Sequence, residues 1–331
     1  MKSYINIILY LLIICIPYAN TFSYNHIPIQ EEGRIKPLDS FARNQLLKLY
    51  GKTSLTIYEN EEKFKMNAID WLMPILAQDY NTLNIPVFKI ENPDVADALK
   101  LIWKKNPIYT YNEINDGLNY IDEHINNPQL IENLKIRNHN NQNSLDLIDK
   151  QLLELSHKRD LFVQLYTSAS FLIPNIYIEA EALNLAQLLQ VEPNQSISYI
   201  HLFYKINALL IKVEERSQDK QSQIELFNKL GFNKELLEEH SFSDLIFMII
   251  MQQINVNPPS SQSDILKIFP TKNTNNSWLS INQIPIQDMT EYFEIIIALE
   301  SLFNSYIEKQ PIDIQKMNQY QNIISNDYDV N

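Results

Sequence analysis

The chain has 331 residues, 45% of them hydrophobic and 11% aromatic, enough for a sizeable core in one large or two modest domains. A formal net charge of -13 excludes nucleic acid or an anionic membrane as the default partner of the whole molecule, so any basic site has to be local. With only 4 glycines the chain has no phosphate loop, GxSxG elbow or dinucleotide fingerprint, and a glycine-turned β architecture is excluded.

At the N-terminus, Lys2 and the apolar run 5–16 have the form of a secretory signal, too short for an ordinary membrane span. Cleavage after Ala19 or Ser23 satisfies the small-residue requirement, and the alternative is an uncleaved anchor. Residues 1–23 are therefore expected to direct the protein to a periplasmic or other extracytoplasmic location. Cys15 is the only cysteine and lies inside this segment. A processed chain is thus expected to carry no disulfide, no thiol redox chemistry and no covalent c-type haem.

Residues 27–51, IPIQEEGRIKPLDSFARNQLLKLYG, combine turn, helix-start and helix-stop signals. Pro28 keeps the entry extended, Glu31-Glu32-Gly33 reads as a polar turn with positive φ at Gly33, and Arg34-Ile35-Lys36 alternates as an edge strand or extended arm does. Pro37 closes the arm. Asp39 or Ser40 is expected to cap a short helix through Phe41, Ala42, Leu46, Leu47 and Leu49, with Lys48 near its negative end and Gly51 at its stop. Arg34, Lys36 and Arg43 bring three cations close to that helix start. Two of them could be aimed at a carboxylate or phosphate. The alternative is that Arg34 and Lys36 are solvated and Arg43 pairs with Asp39 one turn back.

Gly33 to Arg43, followed by Gly51-Lys52, resembles a segment of the extracytoplasmic part of cytochrome c biogenesis proteins of the fused CcsBA kind, system II, similar to ResB and CcsA. Weaker similarity runs through 68–72 (AIDWL), 108–114 (IYTYNEI), Phe269-Pro270 and 278–280 (WLS). The tryptophan-rich haem-handling segment of that family has no counterpart, because Trp71, Trp103 and Trp278 are scattered. What the resemblance implies is the detached outer domain, without synthetase activity. Such a protein would be a non-catalytic accessory or scaffold that binds a membrane-bound cytochrome c synthetase, apocytochrome c or haem, with Gly33, Arg34, Lys36, Pro37, Asp39 and Arg43 as docking residues. Association with the membrane would run through a partner or an uncleaved N-terminal segment. A general envelope interaction module or foldase is the other reading.

The remainder reads as helices. A strand is expected at 53–58, a helix at 68–76 kinked by Pro74, an extended piece at 86–90, and helices at 93–103 and 112–126. The asparagine-rich break at 138–143 is the best boundary, giving an N-terminal region 24–137 and a helical region 144–325, packed as one body, before a frayed tail at 326–331. Beyond the break, Ser144 is expected to cap a long amphipathic helix ending near Pro174. Further helices are expected at 177–190, 196–215, 222–230, 234–254, 287–308 and 312–324. The apolar run 245–251 marks a central core helix. The expected fold is mainly α, an irregular multi-helix domain with a few short extended segments near its N-terminus.

The six histidines are far apart in sequence, without HExxH or CxxC patterns, so no metal or catalytic site is predicted. His201, among Tyr199, Phe203 and Tyr204, is the best haem candidate, and the same aromatics are equally explained as core. Carboxylate neighbours such as Glu179 with Glu181, or Glu214 with Glu215, do not share a helix face and read as solvated charges.

Overall fold

The structure, a computed structural model, describes residues 23–59, 62–124, 132, 134–136, 145–178, 183–192, 195–216, 220–229, 241–259, 263–271, 277–285 and 288–327. Residues 1–22 of the signal expected at 1–23, the boundary at 138–143, Ser144 and the end of the tail at 328–331 lie outside the described residues. The fold is mainly α with a few short strands.

The arm is a hairpin. Strands β1 (Pro28–Glu31) and β2 (Arg34–Pro37) pair antiparallel, with Glu31 opposite Arg34 and Pro28 opposite Pro37. Glu32 and Gly33 form the two-residue turn, both at positive φ (53° and 76°), the conformation whose twist matches a tight hairpin. Helix α1 (Leu38–Tyr50) follows at once, and Gly51 ends it in the left-handed region with its N–H on the Leu47 carbonyl. Its N-cap is Pro37, without a side-chain cap, not Asp39 or Ser40. The Leu38 N–H is already taken by the Ile27 carbonyl of the arm at 2.8 Å, so the helix starts earlier than a side-chain cap would place it.

Strand β3 (Ser54–Glu59) pairs with β4 (Glu62–Asn67), a partner whose largely exposed polar residues gave no strand signal. Helix α2 (Ala68–Leu76) contains Pro74 and buries Trp71 and Leu72 completely. Strands β5 (Phe88–Lys89) and β6 (Ile108–Tyr109) flank α3 (Pro93–Ala98), and α4 (Tyr111–His124) follows. Helix α3 is shorter than the expected 93–103. Lys100 turns left-handed (φ 57°), its N–H reaches the Asp97 carbonyl, and the Leu101 N–H returns to the Ala96 carbonyl at 2.8 Å. That closing motif normally uses glycine, so a lysine there left no stop signal in the sequence.

Helix α5 (Leu147–Thr167) is capped by Asp146, whose side chain accepts the Asp149 N–H. The expected helix at 177–190 is instead strand β7 (Pro174–Tyr177) followed by α6 (Leu183–Leu189). Strand β7 pairs with β8 (Ser196–Ser198), which leads into α7 (Tyr199–Arg216). Helices α8 (Lys220–Lys229), α9 (Phe242–Ile254), α10 (Met289–Ile307) and α11 (Ile314–Asp327) complete the chain.

The larger apolar cluster runs from Ile27 on the arm through α1, α2, α4, α5 and α10 to Ile324 on α11. A smaller one joins α6, α7 and α9. Helix α9 therefore belongs to the second cluster and is not the central helix expected from its apolar run. It buries Leu245, Ile246 and Ile250 but leaves Met248 exposed. Among the described residues no helix is long and apolar enough to cross a membrane.

Candidate functional site

The arm is fastened to a distant part of the chain. The Gln30 N–H donates to the Lys267 carbonyl at 2.9 Å, and the Gln30 side-chain oxygen accepts the Trp278 N–H at 2.8 Å. Phe269 and Leu279 exchange backbone hydrogen bonds beside them, and Trp278 is buried. The segments 28–30, 269–270 and 278–280 thus meet in space. The arm's inward residues Ile29, Leu38 and Phe41 are almost wholly buried, while Arg34 and Ile35 face out.

At the end of β1, Glu31 is a charge hub. Its nearly buried carboxylate accepts hydrogen bonds from Lys36 (2.8 Å), Asn44 (2.8 Å), Gln45 (2.6 Å) and, more weakly, Lys48 (3.4 Å). Asn44, Gln45 and Lys48 project together because they lie three and four residues apart on one face of α1. Burial pushes the Glu31 carboxyl up, but the hydrogen bonds from Lys36 and Asn44 and the charges of Lys36 and Lys48 outweigh it and hold the group below the usual carboxylate range.

The three arm cations thus have separate fates. Lys36 belongs to Glu31, and Arg43 pairs with Asp39 at 2.8 Å across one helical turn, partly exposed. Arg34 is exposed and has no ion-pair partner among the described residues. Gly33 lines a cleft of about 320 Å³ with Glu31, Lys48, Asp264 and Lys267, whereas Arg34, Lys36 and Arg43 do not line it. Pro37 fixes the junction of arm and helix.

Lys48 also opens onto a larger cleft of about 620 Å³ between the end of α1, the β3–β4 hairpin, β5 and α5. Lys48, Lys52, Lys63, Lys89 and Lys158 line it against only two carboxylates, Glu91 and Glu154, a local positive excess in an acidic chain. Lys89 and Lys158 are engaged with Glu91 (2.5 Å) and Glu154 (2.7 Å). The hydrogen bond from Lys89, with the charges of Lys89 and Lys158, holds the Glu91 carboxyl below its usual range. Lys52 and Lys63 are exposed and without ion-pair partners among the described residues. Such a cleft attracts anionic groups. Its five lysines come from distant elements and no spacing rule links them, so sequence reasoning did not assemble them. Glu31, which reads as a turn residue, was missed in the same way.

His201 lies on α7, half-buried, with its ring edge-on to Phe293 and its Nδ1 3.0 Å from a carboxylate oxygen of Glu300. Glu300, buried on α10, also accepts the Ser198 N–H (2.8 Å) and hydroxyl (2.5 Å). Ser198 in turn accepts the His201 N–H, so the cluster caps the start of α7 and ties it to α10. A carboxylate behind an imidazole is an arrangement that ligating histidines use. The adjacent cleft, however, is lined by Phe171, Tyr199 and Phe203, not by His201. The residues present form a brace between α7 and α10. Among the described residues no group of three or more His, Cys, Asp or Glu gathers as a metal-ligand set.

No protein-family model and no curated protein matches the chain.

Proposed function

We propose that the protein is an exported accessory of cytochrome c biogenesis, a scaffold that docks on a membrane-bound synthetase or on apocytochrome c and forms no bonds itself. The observation that carries this reading is the meeting of Gln30, Lys267 and Trp278. The base of the arm and the distal segments around Phe269 and Trp278, remote in sequence, form one buried junction that holds the arm fast while its tip, Arg34 and Ile35, is turned outward. A braced tip with a cation and an aliphatic side chain is a ready contact for a partner, since little ordering entropy remains to be lost. The Glu31 hub serves this role by neutralising Lys36, which leaves Arg34 as the arm's outward cation beside the exposed Glu32 of the turn.

The test is a clean deletion, complemented with the wild-type chain or with Arg34→Glu plus Ile35→Asp. Holocytochrome c is expected to fall in the deletion while apocytochrome synthesis continues, and the double variant is expected to fold yet fail to restore it. Normal holocytochrome in the deletion would leave the reading without support. A photo-crosslinker at Ile35 that captures a synthetase subunit or apocytochrome from membranes identifies the partner.

A further inference from the structure

A second outward tip, unconnected with the arm, lies between α3 and β6. The closure of α3 at Lys100 sends residues 102–106 outward, with Leu101 still packed on the core, and the returning strand is held by the Ile90 N–H on the Pro107 carbonyl at 3.0 Å. Two further fastenings hold the excursion rigid. The hydroxyl of fully buried Tyr109 donates to the Ile102 carbonyl at 3.0 Å, and Lys104 lies 4.4 Å from the Tyr109 ring centre while paired with Glu113 at 2.6 Å. Between these points Ile102 is 84% exposed and Trp103 45% exposed. An aliphatic side chain this exposed, beside a tryptophan on a braced loop, is not left in water without cost, because exposing both is unfavourable.

The neighbours name the occupant. Lys100 precedes the pair, Lys104 and Lys105 follow it, and Lys105 is exposed with no ion-pair partner among the described residues. Asn106, at the end of the same loop, lines the lysine-rich cleft, so Lys52, Lys63 and Lys89 lie on the same side of the molecule. Of the nearby acids, Glu113 is neutralised by Lys104 and Glu91 by Lys89, while Asp94 and Asp97 on α3 are exposed and set back from the loop on the helix that precedes it. A protein partner needs a broad complementary area, about 800 Å² on each side. Here the apolar element is a projecting pair of residues with Lys100 on one side and Lys104 and Lys105 on the other. A tryptophan ring, an aliphatic side chain and flanking lysines are the set that settles at the boundary between headgroups and acyl chains of an anionic bilayer.

We infer that the Ile102-Trp103 tip inserts into the interface of an anionic membrane while Lys105 and the adjoining cleft lysines meet its headgroups. The strongly negative remainder of the chain is repelled from such a surface, so contact is confined to this corner and fixes the orientation of the protein. The inference goes beyond the proposed function, since it requires no synthetase and no apocytochrome.

The experiment uses the full chain, vesicles of phosphatidylcholine and phosphatidylglycerol in equal parts, and acyl chains brominated near the headgroup. Trp71 and Trp278 are buried, so quenching of the emission by bromine reports Trp103. The apolar segment at the N-terminus is able to hold the chain on vesicles by itself, and quenching rather than co-sedimentation is therefore the readout. Wild-type emission is expected to be quenched and to shift to the blue. Trp103→Phe is expected to lose the quenching, and Ile102→Ser and Lys105→Glu to reduce it several-fold, as do added salt and vesicles of phosphatidylcholine alone. Unquenched wild-type emission, or quenching that survives in Trp103→Phe, would overturn the inference.

Discussion

Gln30 and Trp278 stand 248 positions apart, yet the side-chain oxygen of one accepts the backbone N–H of the other at 2.8 Å inside the protein. Gln30→Leu keeps most of the volume and removes the acceptor, leaving a buried donor unpaired. Such a loss costs about 1–3 kcal/mol. The urea midpoint of the variant, followed by tryptophan emission, is expected to fall accordingly. An unchanged midpoint would mean that the junction of arm and distal segment contributes nothing to stability.

Glu31 makes stability sensitive to acid. Its folded pKa lies below the value of about 4.3 for a free glutamate, so its contribution is complete above that pH and is lost as pH falls through the folded value. Glu113 acts in the same sense. Burial pushes its carboxyl up, but the Lys104 ammonium and the Thr110 N–H more than offset this. Glu31→Gln is expected to unfold at lower urea at neutral pH and to show a shallower acid slope than wild type. Parallel acid slopes for the two proteins would rule out Glu31 as the titrating group.

These relationships show what was legible in the sequence and what was not. The arm could be read because its signals are local: Gly33 sets the turn, the prolines hold the strands extended, and Gly51 stops the helix. The Asp39–Arg43 pair was readable because helix geometry fixes a spacing of four. The partners of Gln30 and the lysines of the large cleft were not, since they are joined only by tertiary packing. Trp103 read as part of a helix because the chain turns at Lys100, a residue that carries no stop signal. Its exposure on a braced loop becomes visible only in three dimensions.

Gly117 on α4 tests how tightly that helix is packed. A Cβ at this position would stand 2.9 Å from both the Cβ and the carbonyl oxygen of Leu99, and backbone does not yield as a flexible side chain does. Alanine normally favours a helix interior over glycine by up to about 1 kcal/mol. Here the overpacking is expected to win, with a net loss of about 1–3 kcal/mol for Gly117→Ala. Thermal unfolding reads the sign directly, and a raised melting temperature would show that α3 and α4 move apart freely.

Gly33→Ala offers the opposite case, with empty space around the added methyl and φ at +76°. The cost there is the backbone's alone, about 1 kcal/mol. The hairpin is expected to persist, with slightly faster amide exchange across β1 and β2. Complete loss of protection in the hairpin would show that the turn, rather than the Glu31 hub and the Gln30 contacts, holds the arm in place.

At the alkaline end the sign reverses. Tyr306, edge-on to Tyr24 at 5.8 Å, has its hydroxyl pushed up to about 12, first by burial and then by the charges of Asp79, Tyr24 and Asp70. An unfolded tyrosine ionises near pH 10. Between about pH 10 and 12 the unfolded chain therefore sheds this proton while the folded one keeps it, and stability falls as pH rises. Tyr320, buried on α11, is raised by burial in the same direction. Tyr306→Phe removes one of these groups and is expected to flatten the alkaline decline of the urea midpoint, while tyrosinate absorbance loses part of its late-titrating component. An identical decline in both proteins would show that water reaches the Tyr306 hydroxyl as freely as in the unfolded chain.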